Sequence, residues 1–523
     1  MNINPTKFDK KRSTFGFIIS SLIILIFIIL PTPESFIHFV KENYSNLDDK
    51  QIKELAYGMK VVTALLLLMV TLWLTEAIPI PVTSLLPAIV LPVFHVVGVS
   101  NDNIHHFDGK NVLANYANPI IYLFLSGFLI ARAMQKWGLD RRLTYSILSF
   151  GNLANHPKLI ILALIFISAM ISMWISNTAT TAMLLPIVIG ITRISKIEKE
   201  GSNFSKALAL AIAYGASVGG LGTIIGSPPN GICVSILRSG NVYNFNFIQW
   251  MALGLPIVFV FIPVIWFLLI KVFPPELSSI SGGKEYIQAL KKELGGFSRG
   301  EKFTSLGFFL LLTLWVSNPF WSYILPHKFF VSLHWFDENL IALSVTVLLF
   351  MIPVSWKDRK FVLEWSDSKF VDWGTLLLFG GGIALSDAMF KTGFASWLAK
   401  SIVTQIGSPS PFLIVVVVII LIDFLTEITS NTAVVSMMVP ILISISSGIN
   451  ADPVLLSISA TLAASMAFML PVATPPNAIV YGSGYLKITD MIKAGFLLDI
   501  IAWFILTLSI YFFGDIIFNI VKF

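Results

Sequence analysis

The residues best placed to do chemistry are two copies of one triplet, Ser176-Asn177-Thr178 and Ser430-Asn431-Thr432, 254 residues apart. Each combines hydroxyls with an amide that can donate through its nitrogen and coordinate through its oxygen. Each also lies near the middle of an apolar stretch, 159–191 and 412–449, with a proline further on at Pro186 and Pro440. One membrane crossing needs roughly 20 apolar residues and two need roughly 40 plus a turn. Stretches of 33 and 38 residues with polar centres therefore predict re-entrant hairpins, near 157–192 and 410–449, whose tips stop near the midplane. Irregular backbone at that depth survives only where protein or a water-filled cavity satisfies it, which makes the tips the expected binding site.

A second repeated motif, Gly226-Ser227-Pro228-Pro229-Asn230 and Ala473-Thr474-Pro475-Pro476-Asn477, interrupts the apolar stretches 206–237 and 454–485. A half-helix is expected to begin at each Pro-Pro-Asn and another just after each triplet. As many as four helix N-termini then converge, each with about half a positive charge and free N–H donors. Such a cavity suits an anion. None of the four motifs contains Lys or Arg, so Asn177, Thr178, Asn431, Thr432, Ser227 and Thr474 are expected to orient the anion while Pro228 and Pro475 open the half-helices. Two symmetric half-sites fit a ligand with two anionic groups. Carbonyls freed at the breaks suit a hard cation: Ser172 and Thr426 stand one turn before each triplet's serine, and Gly226 and Ala473 are small where backbone must approach closely. Two symmetric sodium sites would neutralise a dianion without a buried arginine. A lone Ser-Asn-Thr is usually a cap or an interhelical hydrogen bond, and a lone Pro-Pro-Asn a kink; recurrence of both, in the same order, points to a site.

The elements that position these motifs follow from composition. With 56% hydrophobic residues, 12% charged and a mean hydropathy of +0.82, the chain reads as an all-α polytopic membrane protein. Its net charge of +6 comes from basic residues scattered through short loops, which argues for a bias toward one membrane face rather than for nucleic acid. Cys233 is the single cysteine, and the histidines at 38, 95, 105, 106, 156, 327 and 334 fall in loops or at span ends. Haem ligation and a histidine-based intramembrane protease are disfavoured, and no organic cofactor is expected. An enzyme would need a nucleophile–base pair or metal cluster in the apolar region, and a channel a continuous polar path; neither pattern is present.

Residues 1–55 form an N-terminal segment with a first, retained helix at 13–31, behind Lys7, Lys10, Lys11 and Arg12. A first repeat covers 56–272, with spans near 58–75, 78–97, 119–135, 206–237 and 249–272. The charged stretch 273–303 is the linker, and a second repeat covers 304–523, with spans near 304–324, 338–354, 373–390, 454–485 and 495–518. That makes about eleven spans and two hairpins. A cytoplasmic N-terminus places 24 of the 35 Lys and Arg in cytoplasmic loops, 10 outside and Arg132 within a span, which by the positive-inside rule puts the linker in the cytoplasm and the C-terminus outside it.

The halves match in order and spacing. Phe124-Leu-Ser-Gly127 aligns with Phe379-Gly-Gly-Gly382 at an offset of 255, and the Pro-Pro-Asn motifs align at 247. Five full spans per half, an odd number, make the copies inverted repeats. Inverted repeats with broken helices mark secondary transporters. Arg132 and Asp387 also correspond at 255; both lie in spans where a lone charge is costly, so either they form a buried pair or each caps or snorkels separately. Glu76, in Thr75-Glu76-Ala77-Ile78-Pro79, reads as a structural hydrogen-bonding group rather than a proton carrier. Glu427 has no acidic counterpart at Met173 and is a candidate for positioning the ion site.

The paired triplets, the two Pro-Pro-Asn motifs and Thr75–Pro79 resemble the divalent anion/sodium symporter family, which includes the di- and tricarboxylate transporters. The resemblance covers essentially the whole chain. It implies that Asn177, Thr178, Asn431 and Thr432 bind substrate carboxylates, and that Ser172, Ser176, Asn177, Gly226, Thr426, Ser430, Asn431 and Ala473 coordinate sodium as coupling ion. It further implies a homodimer in the lipid of the cell (inner) membrane, working as an elevator-type transporter. Ser227 departs from the threonine often found there, yet keeps the hydroxyl. The function expected is sodium-coupled symport of C4 dicarboxylates such as succinate, malate or fumarate, with a sodium-independent exchanger or a sulfate or citrate carrier as alternatives.

Overall fold

Polar and proline punctuation sets the helix ends. The computed structural model describes residues 7–100, 103–195, 201–324, 326, 335–406, 410–449 and 451–518; His327 and His334 lie outside them. The chain opens with α1 (Lys7–Ile29), a short α2 (Glu34–Asn43) that carries His38, and α3 (Asp49–Thr75). Asp48 and Gln51 cap α3 reciprocally, at 2.7 and 3.0 Å, so this helix runs through the expected boundary at 55/56. At its end Glu76 takes a left-handed φ of 47° and receives Arg12 Nη2 at 2.8 Å, the structural role expected of it.

The expected span 78–97 departs most from expectation. Prolines 79, 81, 87 and 92, each lacking a backbone donor, divide it into α4 (Ile80–Thr83) and α5 (Leu86–Val93), followed by an antiparallel hairpin of β1 (Val97–Ser100) and β2 (Asn103–His106). Next come α6 (Gly109–Ala114), α7 (Pro119–Trp137), α8 (Leu139–Leu148), the hairpin arms α9 (Pro157–Ser172) and α10 (Asn177–Ile194), then α11 (Asn203–Gly219), α12 (Pro228–Ser239) and α13 (Phe247–Val272). The linker contains α14 (Gly283–Glu293), and Arg142 of α8 holds the linker's far end through Glu301 at 2.5 Å and the Gly295 carbonyl at 3.1 Å.

The second half comprises α15 (Arg299–Ser317), α16 (Trp321–Ile324), α17 (Glu338–Met351), the short strands β3 (Pro353–Ser355) and β4 (Lys360–Phe361), α18 (Trp373–Lys391), α19 (Phe394–Ile406), the hairpin arms α20 (Pro411–Ile428) and α21 (Asn431–Gly448), α22 (Pro453–Ala463), α23 (Pro475–Tyr481) and α24 (Ile488–Phe518). Among the described residues ten helices are long and apolar enough to cross a membrane, the arms α10 and α20 included. The mostly helical membrane architecture matches expectation, and 206–237 and 454–485 are helices broken at the Pro-Pro-Asn motifs. Two helices too short to read as spans, α8 and α19, occupy equivalent positions. Each follows a glycine at positive φ, Gly138 at 73° and Gly393 at 79°, where a Cβ would be strained.

Small residues draw the broken helix α11 against α9. A Cβ on Gly219 would lie 2.3 Å from the Ala169 carbonyl oxygen, and the buried Ser168 hydroxyl donates to Ile212 O at 2.6 Å. Close backbone approach at small residues is how helices associate in lipid. Where the halves meet, Phe124 and Phe379, at the repeat offset, bring their rings to 4.6 Å, and a Cβ on Gly231 would strike both.

That crossing decides against an Arg132–Asp387 pair. The helices α7 and α18 touch at the phenylalanines, two turns before the charges, and each charge finds a nearer partner. Arg132 Nε binds Asp367 Oδ1 at 3.1 Å and stacks on Phe370 at 3.6 Å, Lys136 reaches Asp367 Oδ2 at 2.8 Å, and Asp387 takes Lys391 at 2.8 Å. Burial alone would raise the Asp367 pKa; Lys136, the Glu364 N–H and Arg132 more than reverse this and hold it below the ordinary aspartate range. A depressed carboxyl pKa contributes stability above the unfolded value and loses it as pH falls through the folded one. Asp367→Ala should therefore cost about 2–3 kcal/mol near neutral pH, seen as a lowered apparent Tm, with the gap closing in acid. Asp387→Ala should cost less than about 0.5 kcal/mol, and reversing Arg132 and Asp387 together should rescue nothing.

Candidate functional site

One hydrogen bond closes each hairpin tip. Ser172 Oγ donates to Asn177 Oδ1 at 2.6 Å across the first break, and Thr426 Oγ1 to Asn431 Oδ1 at 2.5 Å across the second, with the Ala464 carbonyl 2.9 Å from the same hydroxyl. Both hydroxyl residues are fully buried. Each bond fixes its amide by the oxygen, and the Asn177 amide lies against Gly220.

The Pro-Pro-Asn breaks are built by the same logic. Proline at N1 presets the helical φ where no backbone donor is needed, and the asparagine then reaches back. Asn230 Nδ2 donates to Gly220 O and Thr223 O, both at 2.8 Å. Asn477 Nδ2 donates to Ala467 O at 3.1 Å and Leu470 O at 3.0 Å, the same positions shifted by 247. Four carbonyls stranded by the broken helices are thereby satisfied, as buried backbone requires.

Tip and break are tied by different chemistry in the two halves. Thr223 Oγ1 donates to Met173 O at 2.6 Å and accepts from Gly226 N–H at 2.9 Å. At the equivalent place the Glu427 carboxylate accepts from Met469 N–H at 2.7 Å and Leu470 N–H at 2.9 Å. Packing in the first half is closer: a Cβ on Gly226 would lie 2.6 Å from Gly220 O, and one on Gly220 2.8 Å from Asn177 Oδ1. Alanines replace both glycines at 467 and 473. Across the halves, α10 packs on α23 and α12 on α21, and α23 has only seven residues.

The structure thus brings Ser172, Asn177 and Gly226 together through Gly220 and Thr426 directly to Asn431, while Ala473 N–H bonds Leu470 O beside Glu427. Ser227 and Thr474 are buried at the starts of α12 and α23, where Thr474 Oγ1 accepts from Asn477 N–H at 3.3 Å. Pro228 is half-buried, Pro475 and Thr178 are exposed, and Thr432 is half-buried. Ser176 is exposed, and its hydroxyl caps α10 by accepting from Ala179 N–H at 3.3 Å, a helix-end role rather than a bond within the Ser172 group. Ser430 is half-buried and makes no side-chain cap. Thr223 and the two motif asparagines went unread as architecture in the sequence; the one available signal was an amide at the third helical position of both copies.

The model of the sodium:sulfate symporter transmembrane region matches residues 53–520. The chain is 36% identical over 506 residues to the sodium-dependent dicarboxylate transporter SdcS of Staphylococcus saprophyticus, covering 95% of this chain and 90% of the relative. It is 36% identical over 468 residues to SdcS of Staphylococcus aureus, covering 88% and 86%. The crystal structure of the Alcanivorax borkumensis YdaH transporter aligns with a TM-score of 0.53 at 12% identity, over 86% of this chain and 98% of that one, a likeness of fold.

Removing a break amide takes a donor from two buried carbonyls; Thr223 O and Leu470 O keep a backbone N–H, from Gly226 at 3.3 Å and Ala473 at 3.2 Å, and the loss at the other carbonyl costs about 1–3 kcal/mol. Asn230→Ala and Asn477→Ala should each lower the apparent Tm of the purified protein markedly and by similar amounts, read by scanning fluorimetry. Unchanged melting in either would contradict the closure described above.

Proposed function

This chain belongs to the sodium:sulfate symporter family, and from that premise we propose that it is a sodium-coupled symporter importing C4 dicarboxylates such as succinate, malate and fumarate. The carrying observation is the pair of tip hydrogen bonds, Ser172 to Asn177 and Thr426 to Asn431, each of which gathers hard oxygen atoms at a hairpin tip, where the amide nitrogen would serve the anion. Its 36% identity to sodium-dependent dicarboxylate transporters over most of both chains supports the substrate class and the coupling ion.

In this reading Asn177, Thr178, Asn431 and Thr432 meet the two carboxylates, aided by helix starts at Ser227-Pro228 and Thr474-Pro475. Ser172, Asn177 and Gly226 would hold one sodium ion, and Thr426, Asn431 and Ala473 the other, with Ser176 and Ser430 contributing from the tips. Two sodium ions neutralise the dianion where no Lys or Arg stands in the motifs. The matched hydrogen-bond sets and the Phe124–Phe379 contact support inverted repeats of 56–272 and 304–523, moving as an elevator within a homodimer. The Lys and Arg distribution supports a cytoplasmic N-terminus and linker with an extracytoplasmic C-terminus. A third cation would make uptake electrogenic, adding about 2.3 kcal/mol per 100 mV.

Proteoliposomes carrying the purified chain should take up labelled succinate when a sodium gradient is imposed and little in choline, with a reversal potential that depends on sodium. Asn177→Ala and Asn431→Ala should each weaken apparent affinity for both succinate and sodium, by about tenfold or more if one charge-assisted hydrogen bond of 1.5–3 kcal/mol is lost. Full uptake without sodium would favour the exchanger, and strong competition by citrate or sulfate would favour a carrier of those anions.

A further inference from the structure

Two acidic side chains stand apart from the tip contacts. Asp423, on α20, and Asp499, on α24, are both fully buried where these helices pack together. Trp503, one turn after Asp499, donates its indole N–H to Asp423 Oδ2 at 2.6 Å. Among the described residues the other Asp423 oxygen and both Asp499 oxygens have no hydrogen-bond partner. Asp499 is within Coulombic reach of Asp423 and Glu427.

Among the described residues no counter-charge is at hand. Glu427 has both oxygens engaged by the Met469 and Leu470 N–H groups. Tyr214 of α11, within reach of Asp499 and Glu427, gives its hydroxyl to Phe468 O at 3.1 Å. On α24, Asp490 pairs with Lys206 at 2.9 Å, and Lys493 and Tyr511 are exposed. Neither α21 nor α22 carries a titratable residue, and α13 carries only Lys271, in its last turn. Two ionised carboxylates buried together inside a membrane helix bundle repel each other and forgo hydration. Their oxygens lack a donor, and a proton supplies one.

We propose that Asp499 binds a proton and donates it in a hydrogen bond to Asp423 Oδ1, leaving Asp423 the ionised partner, held on its other oxygen by Trp503. The proton comes from water and no other bond is made or broken. Three free carboxylate oxygens are too few for a hard metal ion, which gathers about six, whereas one proton turns them into a donor and an acceptor. The pair locks α24 to the arm that carries the second tip, one turn from the carboxylate that anchors the Met469–Leu470 backbone. This site goes beyond the transport reading and does not rest on it.

Infrared difference spectra of the purified full chain, titrated from acid to alkaline pH without substrate, provide the test. A titrating carboxylic C=O band should appear, vanish in Asp499→Asn, and persist in Asp423→Asn at a higher frequency because its O–H has lost a charged acceptor. Glu427→Gln should leave it in place. A band that survives Asp499→Asn, one unmoved by Asp423→Asn, or none in the natural chain would overturn the proposal. Should Asp499→Asn fail to fold, judged by gel filtration, the frequency shift in Asp423→Asn decides alone. Sodium-dependent changes in the carboxylate bands with no carboxylic band would show a metal cation there instead, and would also overturn it.

Discussion

A helix broken inside a membrane must satisfy its stranded backbone from within the protein, and the molecule depends on how that is done here. Two asparagine side chains, Asn230 and Asn477, each bridge a pair of carbonyls on the far side of their break. Satisfied this way, α11–α12 and α22–α23 can stop and start again inside the helix bundle, which creates buried helix N-termini. The hairpin tips rest against these breaks, so the positions of Asn177 and Asn431 are inherited from them. Remove the bridges and the donors lose their aim before any ligand arrives.

Equivalence between the halves is close in the backbone and loose in the side chains. The carbonyls bridged at 220 and 223 correspond to those at 467 and 470, and Ser172 corresponds to Thr426, yet Thr223 secures the first tip with a hydroxyl while Glu427 secures the second with a carboxylate. A Cβ on Gly220 or Gly226 would come within 2.6–2.8 Å of a neighbouring oxygen, whereas alanines at 467 and 473 carry that Cβ. Two half-sites with the same donors but different rigidity need not bind their ions equally.

Much of this was legible because it depends on punctuation. The triplets, the Pro-Pro-Asn breaks and the length of each apolar stretch located the tips, and caps such as Asp48 and Gln51 marked where helices begin. What stayed hidden depends on three-dimensional crossing. Arg132 and Asp387 occupy matched positions, but α7 and α18 diverge after Phe124 and Phe379, and local partners took the charges. The stretch 78–97 is apolar enough for a span and too rich in proline to be one, while α8 and α19 are too short, at 10 and 13 residues, to read as spans. Thr223 carries no motif of its own; only the fold reveals that its hydroxyl joins a tip to a break.

The central claim is that anion donors and cation ligands share the same two amides, so neither ligand binds well alone. Calorimetric titration of the purified chain with succinate, in sodium and again in choline, addresses this directly. Saturable binding in sodium and none in choline is the predicted result. Succinate binding of equal affinity in both salts would contradict the account.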